Sequence, residues 1–283
     1  MEYKNYEKLR IRVDKGVAFV TIDNPPINLM DMPLLAEMGR FAAQAFTDDN
    51  IRVIVYESAD PEFFIAHYDV SLLTAIPEDK PPKKDTLYKN QHILTLRESP
   101  KVTIAKIEGI GGGGGSEFIL ALDMRFGAKE KAKFSQKEAM IGILAGGGGT
   151  QLLTRKMGRS RALEAMLGCD DFSAELAEKY GWINRALPSD EIGKFVEDLA
   201  YRIAMVPPET IRLVKECVNA ALDKSLVEGL IVEANLFEIA VRLPESKRRM
   251  ETFLKVGGQS RDAELGQIKM FEQAIKELEK EDK

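Results

Sequence analysis

Two glutamates each lie beside a run of glycines, and there the sequence carries groups suited to catalysis. The first run, in IEGIGGGGGSEFILALD (Ile107–Asp123), leads from a predicted strand into a predicted helix with Glu117 in its first turn. The second run, Gly146–Gly149, precedes another predicted helix, and Glu138 lies upstream of it. Twelve of the 22 glycines fall within residues 109–149, so we expect the function to reside in this segment.

A helix that begins at about Ser116, directly after five glycines, is suited to binding negative charge. Glycine lets a ligand approach the main chain, and the first N–H groups of a helix have no partner within it. The helix dipole also favours negative charge there. The run therefore predicts a site for a phosphate or a transient oxyanion. The alternative is that the glycines only permit close packing. No Lys-Ser or Lys-Thr pair follows, so this is not a P-loop, and a GxGxxG match within polyglycine carries no information.

The two carboxylates are groups that acid-base catalysis requires. A pair of acids can take a proton from one atom of a substrate and return one to a neighbouring atom. Taken alone, each of Glu117 and Glu138 is also compatible with a solvated surface charge. Neither has a partner at helical i,i+4 spacing. Their interpretation therefore depends on the segments around them.

A mainly parallel sheet with helices on its faces is predicted to position these residues, because strands alternate with helical segments. Strands are predicted at Leu9–Val13 and Val17–Ile22 (a hairpin), Arg52–Glu57, Lys101–Ile107 and Asp123–Ala128. Helices are predicted at Pro33–Thr47, about Leu87–Arg97, Ile192–Ala204, Pro208–Ala221 and about Arg261–Glu281, with a surface loop at Ile76–Asp85. The shift to helical periodicity divides the chain into a βα core, residues 1–205, and a helical C-terminal region, residues 206–283.

Composition excludes several classes of protein. With 283 residues, 45% of them hydrophobic, the chain is long enough to bury a sizeable core. The net charge of -5 argues against a nucleic-acid binder. Two cysteines and two histidines argue against a disulfide scaffold and against a metal site. The N-terminus does not resemble a signal peptide and no run of 18 apolar residues occurs, so we expect a soluble, cytoplasmic protein that binds no membrane.

Several motifs, in order along the chain, resemble the enoyl-CoA hydratase/isomerase family, the crotonase superfamily. They are IEGIGGGGGSE, DMRFGAKEKAKFSQKEAMIGI, AGGGGTQLLTRKMG and ALEAMLGCDDFSAELAEKYGWINRALPSDE. The resemblance implies an α/β fold, a crotonase-like spiral of ββα turns, with a helical C-terminal region that builds a homotrimer or homohexamer. It also implies an acyl-CoA thioester as substrate, with no cofactor beyond the coenzyme A that the substrate carries.

The resemblance assigns a role to each position that matches a family motif. Backbone N–H groups of Gly114 and of Tyr68, in FFIAHYDV, are expected to hold the thioester oxygen as it becomes an enolate. Glu117 and Glu138 match the two acids of the hydratases, and Gly146 matches a glycine that helps to place the water. The candidates for contact with the acyl-CoA are Asn28, Ala66, His67, Asp69, Gly113, Phe253 and Lys255.

Departures from the family pattern leave alternatives open. His67 stands where the family has glycine, and is either a packed or surface residue or a catalytic histidine. The Tyr68 ring is expected to narrow the acyl pocket. Phe253 and Lys255 are equally compatible with a packed ring and a solvated charge. The first expectation is hydration of a 2-enoyl-CoA; the alternatives are double-bond isomerisation, another crotonase-type reaction, or a non-catalytic or RNA-binding member.

Overall fold

The computed structural model describes residues 2–79, 81, 90–266 and 272–278. The chain forms two compact units, Met1–Ala204 and Met205–Lys283. The first unit contains both glycine runs and both candidate acids, so its architecture determines how they are placed.

Strands and helices alternate through the first unit. Its strands are β1 (Leu9–Asp14), β2 (Val17–Ile22), β3 (Val53–Ser58), β4 (Phe63–Ile65), β5 (Val102–Ile107), β6 (Ile110–Gly112), β7 (Met124–Ala128), β8 (Lys133–Ser135), β9 (Phe172–Ser173) and β10 (Arg185–Leu187). Its helices are α1 (Met32–Thr47), α2 (Val70–Thr74), α3 (Gln91–Arg97), α4 (Gly114–Ala121), α5 (Gly149–Met157), α6 (Arg159–Gly168), α7 (Ala174–Tyr180) and α8 (Ile192–Ala204). A 3₁₀ turn, Glu138–Ile141, follows β8.

The strands form two sheets, and from β3 to β8 consecutive strands alternate between them. The larger sheet has the order β1-β2-β3-β5-β7-β10, and the smaller has β4-β6-β8-β9. All pairs are parallel except β1 with β2 and β8 with β9. Because β3 and β4, β5 and β6, and β7 and β8 each place one strand in either sheet, the chain winds as a spiral of ββα turns. The fold class predicted from the resemblance is therefore confirmed.

Helix α4 lies at the centre of the first unit and is buried along its whole length. Its side chains Phe118, Ile119 and Leu120 belong to the main hydrophobic core, as expected for a helix that is apolar on most faces. At its C-terminal end the buried Arg125 guanidinium donates through Nη1 to the carbonyls of Ile119 (3.3 Å) and Leu122 (2.7 Å). Leu122 N also donates to the Ile119 carbonyl (3.2 Å). A cation at the C-terminal end of a helix stabilises such carbonyls, because no following turn of the helix supplies donors there.

Most of the larger elements lie where the sequence predicts them. The hairpin is confirmed, with Leu9 paired to Ile22, and helix α4 begins at Gly114, two residues before the predicted start. The smaller sheet was not predicted, because its strands are only two or three residues long and show no readable alternation. The loop expected at residues 76–85 and the start of the helix expected from about residue 87 lie largely outside the described residues.

The second unit is helical where it is described. It contains α9 (Pro208–Asp223), α10 (Leu226–Ala240), α11 (Pro244–Lys255) and α12 (Arg261–Leu265), and residues 272–278 are also helical. Several large apolar side chains on α9 and α10 are exposed: Val214, Val218, Leu222, Leu226, Val227, Leu230, Ile231 and Phe237. Within the described residues, no helix combines the length and hydropathy needed to cross a bilayer.

Candidate active site

The first glycine run brings two backbone segments into direct contact. A Cβ on Gly114 would lie 2.8 Å from Tyr68 Cβ and 3.0 Å from Tyr68 N. A Cβ on Gly115 would lie 2.4 Å from the carbonyl oxygen of Ile65. No larger residue fits at these positions. Close packing of the glycines is therefore compatible with a catalytic role, because this packing places the start of α4 against Tyr68.

The backbone N–H groups of Tyr68 and Gly114 are both available as donors. Hydrogen bonds on either side fix the Tyr68 segment, since Met30 N donates to His67 O (2.9 Å) and Asp69 N donates to Met30 O (3.1 Å). Gly114 is the first residue of α4, whose own N–H has no partner within the helix. Among the described residues, neither N–H donates to a protein acceptor. Two such donors on adjacent backbones form an arrangement that can bind an oxyanion.

Glu117 is a buried carboxylate held by the second glycine run. Its side chain is 7% exposed, and its Oε1 accepts hydrogen bonds from Gly147 N (2.7 Å) and Gly149 N (2.9 Å). Burial raises the pKa of Glu117 to about 7, and the charge of Glu138 also raises it, while the two N–H donors act in the opposite direction. An acid with such a pKa can accept or donate a proton near neutral pH.

Glu138 begins the 3₁₀ turn and lies beside Gly113 of the first glycine run. A Cβ on Gly113, whose φ is +47°, would lie 3.3 Å from Glu138 Oε1 and 3.3 Å from His67 Cβ. The carboxylate and His67 therefore face the same glycine. Burial raises the pKa of Glu138, and a charge on His67 opposes that rise. The structure thus brings Glu117, Glu138, His67 and the start of α4 into one site.

The N-terminal loop that contains Asn28 lies along residues 66–69, but the Asn28 side chain is not free to bind a ligand. It is 1% exposed. Its Oδ1 accepts from Asn24 N (2.8 Å), and its Nδ2 donates to Ser58 Oγ (2.8 Å) and to the carbonyls of Phe63 and Phe64 (both 3.2 Å). The Asn28 side chain thus shapes the loop, and a contact between this loop and the acyl-CoA stays a prediction.

The remaining predicted contact residues occupy varied positions. Ala66 is buried and donates through its N–H to Ile27 O (3.2 Å). His67 is exposed, with Nδ1 2.9 Å from Tyr68 O. Asp69 caps α2, accepting from Ser71 N (2.9 Å), so its carboxylate has a structural partner. Phe253 and Lys255 lie in the last turn of α11 in the second unit, where Phe253 packs against Gly258.

Sequence reasoning missed the residues that hold the two acids. Glu117 is bound by Gly147 and Gly149, whereas a Cβ on the predicted Gly146 would meet only atoms of Leu144. Gln136 lies beside Glu138. The second glycine run did point to a backbone site, but not to which N–H groups would serve it. Within the described part of the chain, no group of three or more His, Cys, Asp or Glu residues could hold a metal ion.

Comparison with known proteins agrees with this geometry. The family model described as enoyl-CoA hydratase/isomerase matches residues 12–258. The "probable enoyl-CoA hydratase echA8" of Mycobacterium tuberculosis is 28% identical over 251 residues, covering 88% of this chain and 96% of that protein. The short-chain-enoyl-CoA hydratase of Clostridium acetobutylicum is 26% identical over 240 residues, covering 84% and 91%.

Solved structures give the same result. A crystal structure from Streptomyces avermitilis, described as a "putative enoyl-CoA hydratase", has a TM-score of 0.69 and 37% identity, covering 96% of this chain and all of that one. An enoyl-CoA hydratase/isomerase structure from Cupriavidus metallidurans has a TM-score of 0.83 at 22% identity, covering 90% and 96%, and supports the fold alone. The chain belongs to the enoyl-CoA hydratase/isomerase family. It is an enzyme of the hydratase, or lyase, type.

Proposed function

We propose that this protein adds water across the C2=C3 bond of a 2-enoyl-CoA thioester. The observation that carries the proposal is the pair of desolvated acids, Glu117 and Glu138, at one glycine-lined site. Family membership and the names of the relatives support the same reaction and substrate class. Hydration of a polarised double bond needs two proton transfers and a site for negative charge, and the chain supplies groups for each.

In the proposed reaction, the N–H groups of Tyr68 and Gly114 hold the thioester oxygen. As water attacks C3, electrons of the C2=C3 bond move toward that oxygen, which becomes an enolate. Fixed donors in a site with little water stabilise such a charge more than solvent does, because they need no reorganisation. The Gly114 N–H also lies at the positive end of the α4 dipole.

The two acids have complementary roles in this proposal. Glu117, ionised, takes a proton from the attacking water, whose oxygen bonds to C3. Glu138, protonated, gives its proton to C2, and the enolate electrons return to form the C2–H bond. Water has then been added as H and OH, and the two acids have exchanged protonation states. A pKa of about 7 for Glu117 suits a base that must also release its proton near neutral pH.

For the rest of the substrate, the proposal relies on main-chain contacts near the N-terminal loop. Ala66, next to His67, is the proposed backbone contact for the adenine, and Gly113 and Asp69 border the same segment. Phe253 and Lys255, on the C-terminal helices, are the proposed contacts to the acyl-CoA of a neighbouring subunit. The reaction is redox-neutral and each proton has a protein group to move it, so the proposal includes no cofactor besides the coenzyme A of the substrate.

The proposal extends to the assembly, a trimer or a dimer of trimers. Its support is the set of exposed apolar side chains on α9 and α10, among them Leu226, Val227 and Phe237. Patches of this kind mark protein interfaces more often than they remain in contact with water. Light scattering at micromolar concentration should give three or six times the mass of the chain, and a monomer would contradict this part of the proposal.

The direct test of function is an ultraviolet assay with crotonyl-CoA, because the conjugated enoyl thioester absorbs and the hydrated product does not. The wild type should consume it. Glu117→Gln and Glu138→Gln keep size and hydrogen bonding, and each should slow hydration by the ~100- to 10,000-fold typical of acid-base catalysis. Full activity in both variants would remove these residues from the mechanism. Conversion of a 3-enoyl-CoA to its 2-enoyl isomer without hydration would instead identify an isomerase.

A second measurement separates the roles of the two acids. Exchange of the C2 proton of a 3-hydroxyacyl-CoA with solvent deuterium needs only the group that serves C2. It should therefore persist in Glu117→Gln and disappear in Glu138→Gln. The opposite pattern would exchange the two assignments.

A further inference from the structure

Three buried polar side chains form a continuous line of hydrogen bonds that ends on Glu138. Trp182 Nε1–H donates to Ser116 Oγ (3.1 Å). Ser116 Oγ–H in turn donates to the side-chain oxygen of Gln136 (3.0 Å), and the Gln136 amide nitrogen donates to both carboxylate oxygens of Glu138 (2.9 and 3.0 Å). Trp182, Ser116 and Gln136 are each 0% exposed. We call this line the Trp182 relay.

The chemistry of the first member sets the direction of every bond in the relay. The indole of Trp182 can only donate a hydrogen bond. Ser116 must therefore accept with its oxygen, which leaves its single O–H to donate to Gln136. The Gln136 amide then presents its oxygen to Ser116 and its NH₂ to Glu138, which is the orientation that its partners require. An amide turned the other way would place its oxygen against a carboxylate.

The rest of the fold holds Trp182 in one position. Its N–H donates to Ala177 O (2.8 Å), and its carbonyl accepts from Arg125 Nε (3.0 Å). Its ring packs against those of Phe134 and Phe172, with centroids 6.1 and 5.4 Å away. A side chain fixed at its backbone and on its ring can transmit orientation along hydrogen bonds, because no member of the relay can rotate without losing a partner.

We propose that Trp182 and Ser116 are positioning residues, which act through Gln136 to hold the Glu138 carboxylate in the geometry needed for proton transfer to C2. The inference rests on the proposed function, since it assigns Glu138 a proton-transfer role. Neither residue touches the substrate. Their effect is on the reaction rate rather than on substrate affinity, because a displaced proton donor slows chemistry while the thioester still binds.

The kinetic test compares Trp182→Phe, Ser116→Ala and Gln136→Met, each in the full-length protein. Each variant should lower kcat for crotonyl-CoA by about 10- to 100-fold, the size expected of a misplacement of about 1 Å. KM should change by less than about twofold, because these substitutions displace Glu138, which in this proposal acts in the transition state and not in substrate binding. Adding Trp182→Phe to Gln136→Met should lower kcat no further, since both act through one amide.

Thr103→Val is the matched control. Thr103 is also 0% exposed, and its hydroxyl both donates to Asp123 Oδ2 and accepts from Asp123 N (both 3.0 Å). Its removal should lower thermal stability about as much as Ser116→Ala while leaving kcat unchanged. Equal loss of kcat in Thr103→Val, multiplicative losses in the double variant, or an unchanged kcat in Trp182→Phe would each overturn the inference.

A measurement independent of turnover keeps the inference separate from the proposed function. Trp182 is the only tryptophan in the chain, so a nitrogen-15-labelled sample gives a single indole N–H resonance. Gln136→Met and Glu138→Gln should both move it, and Thr103→Val should not. If both substitutions move the resonance as expected but the wild type does not hydrate enoyl-CoA, the proposed function is refuted and the relay is retained. If the wild type is active but neither substitution moves the resonance, the relay is refuted.

Discussion

The two acids of the site are held by different means. Glu117 is bound by main-chain N–H groups of Gly147 and Gly149 at the start of α5. Glu138 is bound by a side chain, Gln136. A main-chain contact survives almost any side-chain replacement, except one that fills the space beside the glycine. A side-chain contact depends on every residue that orients it, including residues distant in sequence. The first acid is therefore sensitive to added volume and the second to lost hydrogen bonds.

Among substitutions that leave both acids in place, the largest effect is expected from adding one carbon atom to a glycine that binds Glu117. A Cβ on Gly147 would lie 2.5 Å from Glu117 Oε2, so Gly147→Ala must displace the carboxylate. Hydration of crotonyl-CoA should fall by about 100- to 1,000-fold. Gly193→Ala is the control, because a Cβ there meets nothing within 4 Å, and its rate should equal that of the wild type. Comparable activity in the two variants would mean that the cradle around Glu117 does not constrain it.

A smaller effect concerns stability and its dependence on pH. The pKa of Glu117 is raised from 4.5 to about 7, chiefly by burial. Between these values the folded chain binds a proton that the unfolded chain releases, so the free energy of unfolding should decrease as the pH rises through this interval. Glu117→Gln removes this decrease in the free energy of unfolding, because glutamine does not ionise. At pH 8 the free energy of unfolding of this variant should exceed that of the wild type by about 3 kcal/mol, and near pH 4 the two should be equal. Denaturant titrations at both pH values measure this, and equal stability at pH 8 would contradict the argument.

The smallest effect concerns His67 and Glu138. A positive charge on His67 lowers the pKa of Glu138 against the rise caused by burial. His67→Ala should therefore raise that pKa, and since Glu138 is the proposed proton donor, the alkaline limb of kcat should move to higher pH. His92→Ala is the matched control, because these are the only two histidines. Movement to lower pH, or an equal shift in the control, would show that His67 does not act on Glu138.

Much of this arrangement follows from local sequence patterns. The long strands of the larger sheet and helix α1 were predicted within a residue or two, because hydrophobic periodicity over six or more residues is hard to misread. The glycine runs and the two acids were also recognised. The catalytic roles of the two acids stay predictions, which the assays above test.

The missed features depend on contacts between distant segments. Trp182 and Ser116 are 66 positions apart, and no local pattern indicates that they meet. The smaller sheet escaped notice because β4, β6 and β8 have three residues each. Asn28 could be assigned to a loop from sequence, but only the fold shows that its amide is consumed by Asn24, Ser58 and the backbone of β4.

Arg125 has an electrical consequence for the proposed reaction. Burial lowers the pKa of Arg125 to about 10, so the guanidinium is charged at neutral pH. It binds the carbonyl end of α4, whose eight residues span about 12 Å at 1.5 Å per residue. At that separation and an effective dielectric constant of about 20, a unit positive charge favours a unit negative charge by about 1.4 kcal/mol. The buried guanidinium at the C-terminal end of α4 thus adds a fixed electrostatic attraction along the helix axis. It would favour the enolate proposed at Gly114 without contacting the substrate.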